Sequence, residues 1–326
     1  MTPLPKTKSS ARVLVAGAGA IGSVFGGMLR AAGHPVALLG RAPHINAIVD
    51  SGLRIDGIWG EHYAEEFEVA LQVADLNGPF DLALLCVKSF DTTATVELIA
   101  RVMSPDGIVL SLQNGLGNIE IVASRFAPER SFGASVLVGA ELPEPGRATV
   151  TVQAAPVVIG PLAATEASMT DARRLVDMFE QAGVSFAASE QILSVLWAKV
   201  FYNAPLNALG ALLAQHYGAL GADGDLRAIM DKVIDEAFNV AQAEGMPLQW
   251  ASAQEYRDLF YSQLVPSTYV HRSSMLHDLE RGRRTEIEAI NGEVWRRGAV
   301  LGIDTPANEM LTRLIRWRSQ AANSLR

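Results

Sequence analysis

The chain has 326 residues, 49% of them hydrophobic and 19% charged, which is ordinary for a soluble globular protein but long for a single hydrophobic core. The formal net charge of -8 argues against a nucleic-acid-binding surface, and the lone cysteine, Cys86, excludes an intrachain disulfide and a cysteine-based zinc cluster. The first residues, MTPLPKTKSSA, lack the apolar core of a secretion signal and no apolar run reaches membrane-spanning length, so we expect a cytoplasmic protein without a membrane partner.

The first predicted strand, Val13–Ala16, is followed by a glycine-rich turn and a helix of small residues that ends near Ala32. The turn has the G-x-G-x-x-G pattern and lies between two strands, the second being PVALLG. Such a turn lets the backbone approach a pyrophosphate, which the free N–H groups of the helix N-terminus then bind. A glycine turn without a ligand is the alternative. The predicted cofactor-binding residues of the turn are Gly17, Ala18, Gly19, Ala20, Ile21 and Gly22.

The end of the second strand bears on the choice of cofactor. A site for NAD commonly has a carboxylate there to bind the ribose 2′-hydroxyl, but this chain has Gly40 followed by Arg41. A guanidinium can bind a 2′-phosphate. We therefore predict NADPH as the cofactor, with a solvated loop arginine as the alternative for Arg41.

Two further strands, within FDLALLCVKSF and GIVLSLQNGLG, flank a predicted helix over residues 92–103. Ligands of open α/β sheets gather beyond the carboxyl ends of the strands, where Lys88 and Asn114 lie. We expect Lys88 to contact the cofactor and Asn114 to contact both cofactor and substrate. A surface lysine and a plain turn asparagine are the alternatives. Residues 131–160 alternate like antiparallel strands around the loop ELPEPGR.

The second half of the chain reads as helical. A helix over residues 170–182 and a short strand, VSFA, precede a predicted domain boundary near Ser189. The expected architecture is α/β, with a Rossmann-type dinucleotide-binding domain over residues 1–189 followed by an all-α domain over residues 190–326. Long helices are predicted over residues 226–244 and 268–301. The six histidines are scattered, and no metal site is expected.

A polar ladder interrupts the apolar helix WAKVFYNAPLNALGALL. Lys199, Asn203 and Asn207 recur every four residues, so they share one helix face among residues that favour burial. Buried amides and a buried ammonium must contact each other or a ligand. A lysine in this setting can donate a proton to a bound oxygen, although a solvated stripe on a surface helix is the alternative.

Near the C-terminus, Ser274 and Glu286 are further candidates. They are twelve residues apart, so they would not share a face of a continuous helix. They could contact one ligand only across a bend, for which Gly282 is a candidate, or from neighbouring faces. Glu286 could then orient Lys199 and help keep it charged.

Taken together, these motifs resemble the ketopantoate reductase (2-dehydropantoate 2-reductase) family over nearly the whole chain. The most selective elements are the ladder and the segment SSMLHDLERGRRTEIEAINGEV; GAGAIGSVFG, CVKS and SLQNGLGN support them. The resemblance implies NADPH-dependent reduction of a branched 2-oxo acid on the route to pantothenate. The implied roles are proton donor for Lys199, substrate ligands for Asn203, Asn207 and Ser274, contact with both ligands for Asn114, and a position beside the lysine and cofactor for Glu286.

The chain departs from the family pattern at two positions near the expected polar end of the substrate. It has Tyr217 and His271 where some relatives have asparagines. A paralogous reductase of another 2-oxo acid therefore stays open as an alternative. So do a 3-hydroxyacid-type dehydrogenase and, more distantly, a non-catalytic NADP(H) sensor. The expected partner is a small-molecule 2-oxo acid; a homodimer is an open expectation.

Overall fold

The computed structural model describes residues 11–324 and contains two compact units. The first unit comprises the described residues up to Gln113 together with Asn118–Ile192. The second, helical unit comprises Asn114–Gly117 together with the residues from Leu193 onward. The segment 1–10, on which the expectation of no secretion signal rests, lies outside the described residues.

The first unit contains all the strands of the described residues. They are β1 (Val13–Ala16), β2 (Val36–Leu39), β3 (Leu53–Gly57), β4 (His62–Ala64), β5 (Glu68–Ala70), β6 (Phe80–Leu85), β7 (Met103–Ser111), β8 (Ser131–Ser135), β9 (Val138–Glu144), β10 (Arg147–Gln153), β11 (Val157–Pro161) and β12 (Phe186–Ala188).

Eight of these strands form the main sheet of the described part of the chain, in the order β12-β11-β8-β7-β6-β1-β2-β5. Neighbouring strands pair in parallel except β11 and β8, which are antiparallel. The central strands β1 and β6 are almost entirely apolar and buried, as expected for a sheet covered on both faces. The predicted Rossmann-type α/β fold of the first unit is confirmed.

A second sheet, with the order β4-β3-β10-β9, was only half predicted. The antiparallel pair β9 and β10 matches the alternation around ELPEPGR, whereas β3 and β4 were not predicted. Both are short, and β3 pairs in parallel with β10, which is distant in sequence. Long-range pairing of this kind leaves little local signal.

The helices of the first unit are α1 (Ala20–Ala31), α2 (Ala42–Ser51), α3 (Thr92–Ile99), α4 (Asn118–Ala123) and α5 (Glu166–Gln181). Helix α3 is shorter than predicted because β7 already begins at Met103. Helix α5 begins earlier than predicted because Thr165 and Ser168 form a reciprocal capping box. Glycines let α1 approach both sheets closely: a Cβ at Gly26 would lie 2.7 Å from Val15, and one at Gly27 would lie 2.5 Å from Ile55.

The second unit is helical throughout its described part, as predicted. Its α-helices are α6 (Ile192–Leu213), α7 (Tyr217–Ala222), α8 (Gly224–Ala243), α9 (Ala253–Leu259), α10 (Val265–Ser267), α11 (Ser274–Glu280), α12 (Asn291–Leu301) and α13 (Pro306–Ser324), with a π-helical turn, Phe260–Leu264, between α9 and α10. None of the helices in the described residues combines the length and apolar character needed to cross a bilayer.

The single helix predicted over residues 268–301 is wrong, whereas the candidate bend at Gly282 coincides with a break between helices. Helix α11 ends at Glu280, and Gly282 follows with a φ of 63°, a left-handed conformation that glycine adopts readily. A short 3-10 turn, Ile287–Ala289, then precedes α12. Both α11 and α12 have helical periodicity, and the left-handed glycine separates them.

Candidate active site

The glycine turn has the geometry that a dinucleotide site needs. Gly17 has a φ of 109°, and a Cβ there would lie 2.7 Å from the backbone nitrogen of Val87. A Cβ at Gly22 would lie 2.2 Å from the carbonyl oxygen of Gly17, so this position also excludes a side chain. Both glycines are therefore required by the packing of the turn itself.

Gly19 differs from its neighbours because a Cβ there would meet no atom within 4 Å. It is the N-cap of α1, without a side-chain cap and without an acidic residue in the first turn. The first N–H groups of a helix lack intrahelical partners, and the helix dipole places positive potential beside them. Open space in front of Gly19 and uncapped N–H groups at Ala20, Ile21 and Gly22 fit a pyrophosphate.

The residue directly after β2, Gly40, is crowded, so a side chain of any kind would be strained at that position. A Cβ at Gly40 would lie 2.9 Å from the Cβ of Ala18 and 3.0 Å from Ile45. Arg41 follows as the N-cap of α2 and is exposed. Buried His44 fixes this end of α2, because its Nδ1 accepts from the Gly146 N–H at 3.1 Å and its Nε2 lies 2.9 Å from the Ser23 hydroxyl. Sequence reasoning missed that role of His44.

Lys88 lies just beyond the carboxyl end of β6, as predicted. It is the N-cap of a 3-10 turn, Ser89–Asp91, and is partly buried. The first unit therefore holds one group of predicted residues: the glycine turn, Arg41 and Lys88.

The other group belongs to the helical unit, where α6 carries the polar ladder. Lys199, Asn203 and Asn207 are 9%, 8% and 6% exposed. The alternative of a solvated surface stripe is therefore wrong. Pro205 lies inside α6, yet the helix continues through the ladder.

Lys199 is the one ladder residue with a charge, and it is held by Asn114. Its Nζ donates to Asn114 Oδ1 at 2.9 Å. Burial lowers the pKa of Lys199 to about 8, while the charge of Glu286 acts in the opposite direction. Glu286 is itself buried. An ammonium with this pKa is protonated at neutral pH and close to the range in which it can release a proton.

Asn114 belongs to the helical unit although it follows a strand of the first unit in sequence. The next residue, Gly115, has a φ of 87°, and a Cβ there would lie 2.2 Å from the carbonyl oxygen of Ala289. Leu116 donates its N–H to that same oxygen at 2.8 Å. These contacts fix the loop against the turn that precedes α12, and they account for the glycine in QNGLG.

The two ladder amides have different environments. The side chain of Asn203 makes no hydrogen bond to another described residue, and its amide is not among the fully enclosed polar groups that lack a partner. Asn207 accepts a 2.6 Å hydrogen bond on Oδ1 from the hydroxyl of buried Tyr217. Tyr217 in turn packs edge-on against His271, with 5.0 Å between ring centroids. The two departures from the family pattern are therefore neighbours, and one of them contacts the ladder.

The two serines at the start of α11 have different environments. Ser273 is fully buried, caps α11 by accepting from the Leu276 N–H at 3.1 Å, and donates to the carbonyl oxygen of Asn207 at 3.3 Å. Ser274, the predicted substrate ligand, is the exposed first residue of α11. Sequence reasoning missed the structural role of Ser273, although a serine directly before a helix is a typical N-cap.

Models of one known protein family match both halves of the chain. The description "Ketopantoate reductase PanE/ApbA" matches residues 13–164, and its C-terminal counterpart matches residues 191–319. The 2-dehydropantoate 2-reductase of Aquifex aeolicus is 34% identical over 310 residues, covering 94% of this chain and 96% of that protein. The chain belongs to the ketopantoate reductase family.

Solved structures support the assignment to this family of oxidoreductases. The 2-dehydropantoate 2-reductase from Geobacter metallireducens is 30% identical, with a TM-score of 0.86, covering 94% of this chain and 99% of that one. A D-mandelate dehydrogenase, solved with NADH and anilino(oxo)acetate, is 27% identical with the same TM-score of 0.86, covering 96% of this chain and 99% of that one. These relatives support a nicotinamide dinucleotide cofactor and a small keto acid substrate for the family. Among the described residues, no group of three or more histidine, cysteine or acidic side chains is arranged to hold a metal ion.

Proposed function

We propose that this protein reduces a branched 2-oxo acid, 2-dehydropantoate, to the 2-hydroxy acid pantoate, with NADPH as the reductant. The observation that carries the proposal is the buried Lys199, bound to Asn114 and with its pKa lowered to about 8. A sensor or a purely structural helix has no need of such a proton donor. The proposal includes the predicted division of roles, with residues 1–189 binding the cofactor and residues 190–326 binding the substrate.

Each ladder residue then has a distinct task. When bound, NADPH supplies a hydride to the ketone carbon of the substrate. Lys199 stabilises the negative charge that develops on the ketone oxygen and donates its proton there. Asn114 holds the ammonium in place, and the charge of Glu286 favours the protonated form. Asn203, whose buried amide has no hydrogen bond to another described side chain or backbone group, binds the substrate.

Asn207, on the ladder, and Ser274, on α11, supply the remaining substrate contacts in this proposal. Asn207 uses the amide protons that its bond to Tyr217 leaves available. Ser274 offers a hydroxyl at the N-terminus of α11. Both groups suit a carboxylate or hydroxyl oxygen of a 2-oxo acid.

The preference for NADPH rests on the end of β2. A side chain of any kind would be strained at Gly40, and exposed Arg41 is available for a 2′-phosphate. The glycine turn binds the pyrophosphate, and Lys88 contacts the cofactor beyond the end of β6. A homodimer is also part of this proposal and is measured by light scattering.

The experiment is NADPH oxidation with a panel of 2-oxo acids. The panel contains 2-dehydropantoate, its analogue without the hydroxyl group (3,3-dimethyl-2-oxobutanoate), a straight-chain 2-oxo acid and a phenyl-substituted 2-oxo acid, and a 3-oxo acid is measured beside it for comparison. We expect the highest kcat/KM with 2-dehydropantoate. Absence of turnover with every member would contradict the proposal, and turnover of 3-oxo acids alone would favour the 3-hydroxyacid dehydrogenase alternative.

A second candidate is reduction of an aromatic 2-oxo acid. Two observations favour it: the similarity to D-mandelate dehydrogenase, and the aromatic pair Tyr217 and His271 next to the ladder. A higher kcat/KM for the phenyl-substituted acid than for 2-dehydropantoate would select this candidate.

A further inference from the structure

Tyr217 lies at the start of α7 and reaches the ladder through a short, buried hydrogen bond. Its side chain is 2% exposed, and its hydroxyl donates to Asn207 Oδ1 at 2.6 Å. Burial raises the pKa of Tyr217 well above its ordinary value. The phenol therefore keeps its proton across the working pH range and remains a hydrogen-bond donor.

The backbone at Tyr217 is also fixed by hydrogen bonds. Its N–H donates to the carbonyl oxygen of His271 at 3.0 Å, and the next residue, Gly218, donates to the carbonyl oxygen of Tyr269 at 2.8 Å. A Cβ at Gly218 would lie 2.2 Å from the ring of Tyr269. These contacts restrict the position of Tyr217, so its hydroxyl can orient the side chain of Asn207.

A terminal amide has one end that accepts and one that donates hydrogen bonds. Because Oδ1 of Asn207 faces the Tyr217 hydroxyl, its Nδ2 protons face away from it. Rotation of the amide by 180° would turn Nδ2 toward the phenol and leave the Tyr217 hydroxyl proton without its acceptor, and a buried donor that loses its partner is destabilising. The orientation of Asn207 therefore depends on Tyr217.

We propose that Tyr217 is a positioning residue for substrate binding: its hydroxyl fixes the amide of Asn207 so that the Nδ2 protons meet an acceptor oxygen of the 2-oxo acid. This role rests on the proposed function. It acts on substrate binding rather than on proton transfer, because Lys199 is held separately by Asn114.

The chain contains a matched control for this hydrogen bond. Tyr202 packs edge-on against Tyr217, with 5.9 Å between ring centroids, and its hydroxyl lies 2.7 Å from Thr268 Oγ1. Tyr202→Phe therefore removes a comparable phenol hydroxyl from the same aromatic cluster without touching Asn207. Both phenylalanine variants should lower Tm by a similar amount, about 2–4 °C.

The test is a cycle of steady-state kinetics with 2-dehydropantoate and NADPH. We expect Tyr217→Phe to raise KM about fivefold and to change kcat by less than about twofold, since one orienting hydrogen bond is lost. Tyr202→Phe should leave KM within about twofold of wild type. In an Asn207→Ala background, Tyr217→Phe should have no further effect on KM, because it acts only through that amide.

Two results would overturn the role of Tyr217 while leaving the proposed function intact. One is a Tyr217→Phe effect on KM that persists in the Asn207→Ala background. The other is an equal rise in KM for Tyr202→Phe. If wild-type protein reduced no 2-oxo acid, the proposed function and this role would both be refuted.

Discussion

The glycine turn after β1 and the ladder on α6 are both candidate ligand sites, but they are built differently. In the turn, backbone geometry makes the site: Gly17 and Gly22 have no room for a Cβ, and the N–H groups after Gly19 are uncapped. In the ladder, side chains make the site, and their properties depend on burial and on partners that are distant in sequence. A backbone motif such as the glycine turn can be recognised from a short stretch of sequence. The properties of the ladder can be recognised only once the surrounding fold is known.

The strongest test of the ladder is removal of its charge. Lys199→Met keeps an unbranched side chain but has no proton to donate, so kcat should fall by about 100-fold or more. The measurement is kcat at saturating 2-oxo acid and NADPH. Lys232→Met, at an exposed position on α8, is the control and should retain full activity. Near wild-type kcat for Lys199→Met would remove the proton donor from the proposal.

Two glycine variants separate the packing of the turn from its ligand. Gly22→Ala places a Cβ 2.2 Å from the Gly17 carbonyl oxygen, so we expect a loss of about 1–3 kcal/mol in the free energy of unfolding. Gly19→Ala meets no protein atom, so Tm should hold while the Kd for NADPH rises about tenfold. Thermal unfolding and fluorescence titration measure the two effects. Unchanged NADPH affinity in Gly19→Ala would mean that the pyrophosphate does not lie there.

Arg41 tests whether the turn region also selects the cofactor. Arg41→Ala should raise the KM for NADPH about fivefold and leave the KM for NADH nearly unchanged, because only NADPH carries the 2′-phosphate. Arg173→Ala, an exposed arginine on α5, is the control. An equal change with both cofactors would refute the phosphate role.

The smallest expected effect is a shift in the pH dependence of kcat, which reports the pKa of Lys199. A proton donor with a pKa of about 8 is protonated below that pH, so kcat for reduction should be level below pH 8 and fall above it. Glu286→Gln removes the charge that raises the pKa of Lys199, so the falling limb should move to lower pH. A profile whose falling limb stays in place, or moves to higher pH, would show that Glu286 does not act on the lysine.

Several features follow from the sequence alone because their causes are local. The glycine spacing, the apolar strands β1 and β6, and the four-residue repeat of the ladder predicted the α/β first unit, the helical second unit and the shared face of Lys199, Asn203 and Asn207. The site roles of these residues, of Arg41 and of Ser274 stay predictions.

The tertiary structure decided what local patterns leave open. Pairing of β3 with β10 created a second sheet, Gly282 ended a helix that periodicity alone would continue, and Ser273 rather than Ser274 became the buried cap. Only the fold brought Asn114 to Lys199 and Tyr217 to Asn207. Hydrogen bonds and desolvation depend on which distant groups share a buried space, and spacing along the chain carries no such information.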